Sequence, residues 1–191
     1  MINSCLLCGV GGQGTVLASK LIAYAAMKKD MQVRTAETIG MAQRGGCVVS
    51  HVRIGQNIAS PLIPLGGADV MLAFEPGEAV RCLPYLKSDA TVVVNSKCVQ
   101  PVTASLSDKV YSADDMLSFL KENVRNLVVI DGERICAECG SPKVLNIALL
   151  AAAAHSGKLS ISVDELKKAI VERIPEKFHA LNLKAVELAC N

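Results

Sequence analysis

An α/β fold is the class this 191-residue sequence predicts: three layers, α/β/α, around a mixed, mostly parallel sheet. Three observations predict it. Short apolar runs alternate with helical patterns, the order that builds a sheet covered on both faces. Hydrophobic residues make up 51% of the chain but aromatics only 3%, with no Trp, so Val, Ile, Leu and Ala must fill the core. Such a composition suits strands buried on both sides. The second and third predicted strands stand too close for a parallel crossover, which makes the sheet mixed. The length fits a single domain, 1–191, with a sizeable core.

The chain begins with its most informative stretch. Cys5 to Val10 reads as a buried strand, and Gly9, Gly11 and Gly14 then fall at the spacing G-x-G-x-x-G. A helix from about Gly14 to Lys29 follows at once, with Leu17, Leu21, Tyr24 and Lys28 on one face. This is a Rossmann-like start. One glycine permits a tight turn, the next lets a ligand approach the backbone, and the last lets helix and strand pack closely. The free N–H groups of the helix start favour an anion. The competing reading is a close-packed crossing without a ligand, since glycine is also the cheapest residue where two backbones meet.

Gln32 to Glu37 reads as the second strand, and Thr38 to Gly46 as a loop too rich in glycine for a helix interior. Cys47 to Ile54 is a third strand, carried by Val48, Val49, Val52 and Ile54. After an irregular connection over Ser60 to Gly67, Asp69 to Glu75 is a buried strand and Glu78 to Leu86 a helix. Thr91 to Asn95 and Leu127 to Asp131 are further strands. Between them only Val110-Tyr111 hints at a short strand, and Ser112 with Asp115 caps a helix to Asn123. Three helices close the chain. The first opens at Ser141-Pro142 and carries the apolar run Ile147 to Ala154, which is either buried or faces a partner subunit. Ser162-x-x-Glu165 caps the second, which Pro175 ends. The third is amphipathic over Glu176 to Cys190, with Phe178, Leu181, Ala185 and Leu188 on one face.

Several function classes are excluded. A formal net charge of +2 is too small and too scattered for nucleic-acid binding. The apolar run Ile147 to Ala154 falls far short of the roughly 20 residues that span a bilayer, so no membrane association is expected. The N-terminus shows no basic region before its apolar strand, and the chain reads as cytoplasmic. Eight cysteines include two C-x-x-C pairs, Cys5/Cys8 and Cys136/Cys139. Residues three apart in a strand point to opposite faces, so Cys5 and Cys8 do not close on one metal. Cys136 and Cys139 are placed in a loop before a helix, where a metal or redox site competes with simple packing.

In open α/β sheets the working site lies beyond the carboxyl ends of the strands. The candidates there are the glycine loop (Gly9, Gly11, Gly12, Gln13, Gly14), Glu37, the Gln43-Arg44-Gly45-Gly46 loop, Glu75 and Asn95. Glu37 stands near the position of a ribose-binding acid in a dinucleotide fold. Arg44, on a loop poor in side chains, suits a phosphate or carboxylate, with an ordinary surface arginine as the alternative. No nucleophile elbow and no Walker lysine is present. The histidines His51, His155 and His179 stand far apart, and no acid–base pair emerges, so no catalytic residue is assigned.

Three segments taken together resemble a known family: Leu6 to Gly14, Gly40 to Arg53 with its Met-Ala-Gln-Arg-Gly-Gly core, and Ala68 to Pro76. They are similar to the gamma-type domain of 2-oxoacid:ferredoxin oxidoreductases, as are Asn95, Asn146 and Lys177 through Asn182. The resemblance spans nearly the whole chain. It implies a part in the oxidative decarboxylation of an aryl pyruvate, such as indolepyruvate, to an acyl-coenzyme A with reduction of ferredoxin. Thiamine diphosphate and 4Fe-4S clusters carry that chemistry in the family. Neither a G-D-G…N motif nor a run of cluster cysteines is present. The resemblance therefore implies a subunit that binds neither group, is inactive alone, and joins a larger alpha subunit holding both. Coenzyme A enters as co-substrate, and the glycine loop with Gln43 to Gly46 is its implied contact, or else the contact to the alpha subunit. The rival reading is an NAD(P)- or FAD-binding module resting on the glycines and Glu37. A non-enzymatic interaction or metal-binding protein, resting on the C-x-x-C pairs, is the third.

Overall fold

Six strands and seven helices order the described residues, 2–38, 46–100 and 111–191, of the computed structural model. In chain order they are β1 (Asn3–Val10), α1 (Thr15–Met27), β2 (Gln32–Thr38), β3 (Cys47–Gly55), β4 (Ala68–Ala73), α2 (Pro76–Cys82), β5 (Leu86–Asn95), α3 (Ala113–Asn123), β6 (Asn126–Ile130), α4 (Gly132–Cys139), α5 (Leu145–His155), α6 (Val163–Arg173) and α7 (His179–Cys190). The strands form one sheet in the order β2-β3-β1-β4-β5-β6. β1, β4, β5 and β6 run parallel, while β3 is antiparallel to both of its neighbours, β1 and β2. The expected mixed, mostly parallel sheet is therefore present.

β1 lies inside the sheet because nothing in Ser4-Cys-Leu-Leu-Cys8 resists burial on either face, and all five residues are buried. Cys5 and Leu7 face one core, with α1, α5, α6 and α7. Leu6 and Cys8 face the other, with α2 and α3. Helices thus cover both faces, and the two thiols of the first C-x-x-C pair are separated by the sheet.

Several boundaries differ from the sequence reading. The helix expected to Leu86 ends at Cys82, because Pro84 is held in a tight turn over Leu83–Tyr85. Leu86 turns extended and pairs with Ala68, so β5 starts earlier than Thr91. Cys136 and Cys139 lie in a helix rather than a loop. Asp131 caps α4 by accepting from the Arg134 N–H at 3.0 Å, and Gly140 ends it at φ 73°. Four helices close the chain, not three. Of the expected strand at Val110-Tyr111, Val110 lies outside the described residues and Tyr111 is in no strand.

The apolar run of α5 is buried by this chain itself, against the sheet and α1, α4, α6 and α7. Each fully buried Leu or Ile there contributes about 1.5–3 kcal/mol, with no partner subunit needed. The face of α1 is also rotated from the expected one. Its small residues Ala18, Ala25 and Ala26 pack inward with Leu21 and Ile22, leaving Leu17 39% exposed. Phe178, expected on the buried face of the last helix, is 40% exposed, because α7 begins only at His179 and Phe178 sits in the turn before it.

Candidate functional site

The carboxyl ends of β1, β4, β5 and β6 meet at one edge, together with the start of β3. The glycine loop opens there. Its Gly11 N–H donates to the Gly46 carbonyl at 2.9 Å, so the glycine loop is tied to the residue that precedes β3. Gln43, Arg44 and Gly45 lie outside the described residues.

Gln13 closes the loop from within. Its Oε1 accepts from the Val10 N–H at 2.7 Å, and its Nε2 donates to the Phe74 carbonyl at 3.2 Å. Gly9 is glycine for a packing reason: a Cβ there would stand 2.6 Å from Gln13 Oε1 and 2.8 Å from Phe74 Cβ. Gly14, at φ 86°, precedes α1, and a Cβ on it would lie 2.6 Å from Asn146 Nδ2. Gly12 differs. At φ 100° it has open space where a Cβ would be, so it is the loop's accessible glycine. The N–H groups of Gly12, Gly14 and Thr15 make no bond among the described residues, and no side chain caps α1. These donors fit an anion at a helix start.

Asn95 ends β5 and is buried. Its Nδ2 donates to the Phe74 carbonyl at 3.3 Å, and its Oδ1 accepts from the Gly132 N–H at 3.2 Å at the head of α4. Asn146, buried in α5, reaches the Gly14 carbonyl at 3.4 Å. The three amides Gln13, Asn95 and Asn146 thus brace the site edge. Asn146 was detectable in sequence as the one polar side chain of an otherwise apolar helix stretch.

Glu75 is fully buried, and among the described residues no basic side chain pairs with it. Its carboxylate accepts from the Glu78 N–H at 2.9 Å as the cap of α2, from the Val99 N–H at 3.3 Å and from the Tyr111 hydroxyl at 3.1 Å. Burial, then the Glu75 charge, push the Tyr111 phenol above its ordinary range, so it stays a neutral donor. Glu75 is a structural anchor. No spacing in the sequence pairs it with Tyr111.

Glu37 accepts from the Ser19 hydroxyl of α1 at 3.1 Å. It does not neighbour the glycine loop as a ribose-binding acid would, because β3 separates β2 from β1. In a dinucleotide fold those strands are adjacent. The sheet order removes the geometric basis of the NAD reading.

A cavity of about 430 Å³ opens at the ends of β5 and β6, lined by Asn95, Gly132, Cys136, Pro142 and Leu145, with the Lys97–Glu133 ion pair among its walls. Burial raises the pKa of both Cys136 and Cys139, which therefore stay thiols at neutral pH. Among the described residues no three His, Cys, Asp or Glu side chains are grouped as metal ligands. Nor is any helix there long and apolar enough to cross a membrane.

Solved structures of oxoacid:ferredoxin oxidoreductases, a gamma subunit among them, share this α/β fold. The gamma subunit of a keto/oxoacid ferredoxin oxidoreductase from Geobacter sulfurreducens superposes with a TM-score of 0.72 over 98% of this chain and 96% of that one, at 23% identity. A 2-oxoglutarate:ferredoxin oxidoreductase from Magnetococcus marinus, solved with coenzyme A bound, contains the fold within 30% of its chain (TM-score 0.71, 20% identity, 98% of this chain). The family model for pyruvate ferredoxin/flavodoxin oxidoreductase matches residues 4–191, and the chain belongs to that family. Indolepyruvate oxidoreductase subunit IorB of Archaeoglobus fulgidus is 36% identical over 96% of this chain and 91% of its own length. The pyruvate/ketoisovalerate oxidoreductases common subunit gamma of Thermococcus kodakarensis is 27% identical over 96% and 92%.

Proposed function

We propose that this chain, as one gamma-type domain over 1–191, is the small subunit of a cytoplasmic indolepyruvate:ferredoxin oxidoreductase. The carrying observation is the 36% identity to an indolepyruvate oxidoreductase subunit across 96% of the chain. In this reading an aryl 2-oxo acid and coenzyme A leave as acyl-coenzyme A and carbon dioxide, and an electron pair passes to ferredoxin. Thiamine diphosphate supplies the carbanion chemistry and 4Fe-4S clusters the electron path. Both groups belong to a larger alpha subunit. The two C-x-x-C pairs do not fit a cluster: Cys5 and Cys8 lie on opposite sheet faces, and Cys136 with Cys139 has no third ligand grouped beside it among the described residues.

The glycine loop and the Gln43–Gly46 loop are the proposed anion site, for a phosphate of coenzyme A or an acidic group of the alpha subunit. Support comes from the N–H groups of Gly12, Gly14 and Thr15, which make no bond among the described residues, and from the Gly11–Gly46 hydrogen bond, which ties the glycine loop to the residue preceding β3. Arg44 would add the charge.

The test is anaerobic coexpression with the larger subunit. Indolepyruvate- and coenzyme A-dependent reduction of ferredoxin, seen only when both chains are present, is the expected result. Full activity of the larger subunit alone, or reduction of a nicotinamide in place of ferredoxin, would overturn the assignment.

A further inference from the structure

Beside the glycine loop, α1, the end of α6 and the turn before α7 enclose a groove of about 290 Å³. Leu17, Ile174, Phe178 and Leu181 give it apolar walls, and Lys143 and Arg173 are its charged lining. Among the described residues no acidic side chain lines it. Leu17 is 39% and Phe178 40% exposed, in a chain whose Phe74 is completely buried.

The backbone that carries the exposed ring is held by two hydrogen bonds. The Phe178 N–H donates to the Pro175 carbonyl at 2.9 Å, and Asn182 Nδ2 donates to the Phe178 carbonyl at 2.7 Å. An aromatic side chain presented to solvent from a hydrogen-bonded turn has the form of an interface anchor. The charges also stand ready. Arg173 lies 5.0 Å over the Tyr24 ring and, like Lys143, pairs with no carboxylate among the described residues. In the larger cavity at the end of β5, by contrast, Lys97 is already paired with Glu133. The groove therefore lacks two things, apolar cover and negative charge.

We propose that this groove docks a segment of the larger subunit that carries an apolar anchor flanked by carboxylates. The proposal rests on the subunit reading above and adds where the partner sits. Complementary charge would steer the encounter, while the buried apolar contact would set the lifetime of the complex.

The test measures the affinity of purified wild-type and variant chains for the larger subunit, with ferredoxin reduction assayed in parallel. Phe178→Ala, and separately Lys143→Glu combined with Arg173→Gln, should each weaken assembly at least about tenfold. Leu17→Asp, at an exposed position, should do the same without disturbing the fold. Raising salt to about 0.5 M should weaken the wild type more than the charge variant. Folded variants that assemble with wild-type affinity while the wild-type pair is active would overturn the docking surface and leave the subunit reading intact. A wild-type chain that neither assembles nor activates would overturn both. Tight binding of indole-3-acetate to the isolated chain, abolished by Phe178→Ala without loss of assembly, would reassign the groove to a small aryl acid.

Discussion

Gln13 and Asn95 share one acceptor. The Phe74 carbonyl takes Gln13 Nε2 at 3.2 Å and Asn95 Nδ2 at 3.3 Å, so a loop after β1 and the last residue of β5 are pinned to the end of β4 between them. Asn95 extends the chain of bonds to the head of α4 through the Gly132 N–H. The site edge is held by amides, which keep their hydrogen-bonding pattern at any pH the fold tolerates.

Removing either amide should loosen this edge. Gln13→Ala strips the Val10 N–H of its acceptor, and Asn95→Ala strips that of Gly132. Each should cost about 1–3 kcal/mol in urea unfolding, the penalty for a buried polar group left unpaired. The double variant should cost more than the sum, because the Phe74 carbonyl keeps one donor in each single variant and none in the double. Strict additivity would argue against a shared brace.

The glycines of the loop should separate by role. Gly14→Ala meets both a left-handed φ of 86° and Asn146 Nδ2, and should cost at least about 2 kcal/mol. Gly12→Ala meets the backbone strain alone and should cost about 1 kcal/mol. If Gly12 borders the anion site, its variant should raise the coenzyme A KM out of proportion to this small loss. Thermal unfolding and steady-state kinetics of both variants decide the matter.

His51 carries a pH dependence. It is buried, stands edge-on to Tyr85 at 5.9 Å, and its Nδ1 accepts from the Ile63 N–H at 3.2 Å. Burial holds its pKa below the ordinary histidine value. The unfolded chain therefore takes up the proton first as pH falls. The stability contribution is complete above about pH 6.5 and declines as pH drops from there toward the lower folded value. His51→Gln keeps an acceptor and cannot titrate. The stability advantage of wild type over this variant should shrink between about pH 7 and 5. A constant difference would refute the assignment.

Arg44→Ala tests the anion site directly. Charge-assisted hydrogen bonds contribute about 1.5–3 kcal/mol, so the interaction should weaken roughly ten- to a hundredfold. A raised coenzyme A KM with intact assembly would make the cofactor the ligand. Failed assembly would make it the partner, and wild-type behaviour in both assays would leave Arg44 as ordinary surface.

The isolated chain should be colourless, inactive, and blind to NAD and NADP at micromolar concentrations. Stoichiometric iron and sulfide in the purified chain would contradict the subunit assignment. A low-micromolar nicotinamide site measured by calorimetry would contradict the conclusion drawn from the sheet order.

Local signals in the sequence determined the class, the strand–glycine–helix start and most element types, because apolar periodicity and capping are short-range. Ser162 and Glu165 do form the reciprocal cap their spacing announces. Where two local patterns competed, the reading slipped: Val80, Leu83 and Leu86 fit a helix until Pro84 and the pairing with Ala68 pull Leu86 into β5. α4, with only eight residues and two cysteines, offered too little periodicity to be seen. The tertiary structure alone decided which loops meet and what each polar residue does. G-x-G-x-x-G with a later acid describes a dinucleotide fold equally well. Only the insertion of β3 between β1 and β2 separates Glu37 from the glycines. Likewise Gln13, Glu75 and Asn95 are all polar residues at or just past strand ends in the sequence, and only packing shows the structural hydrogen bonds that each makes. Hydrogen bonds between residues such as Gln13 and Phe74 join positions far apart in the chain, and no local pattern encodes them.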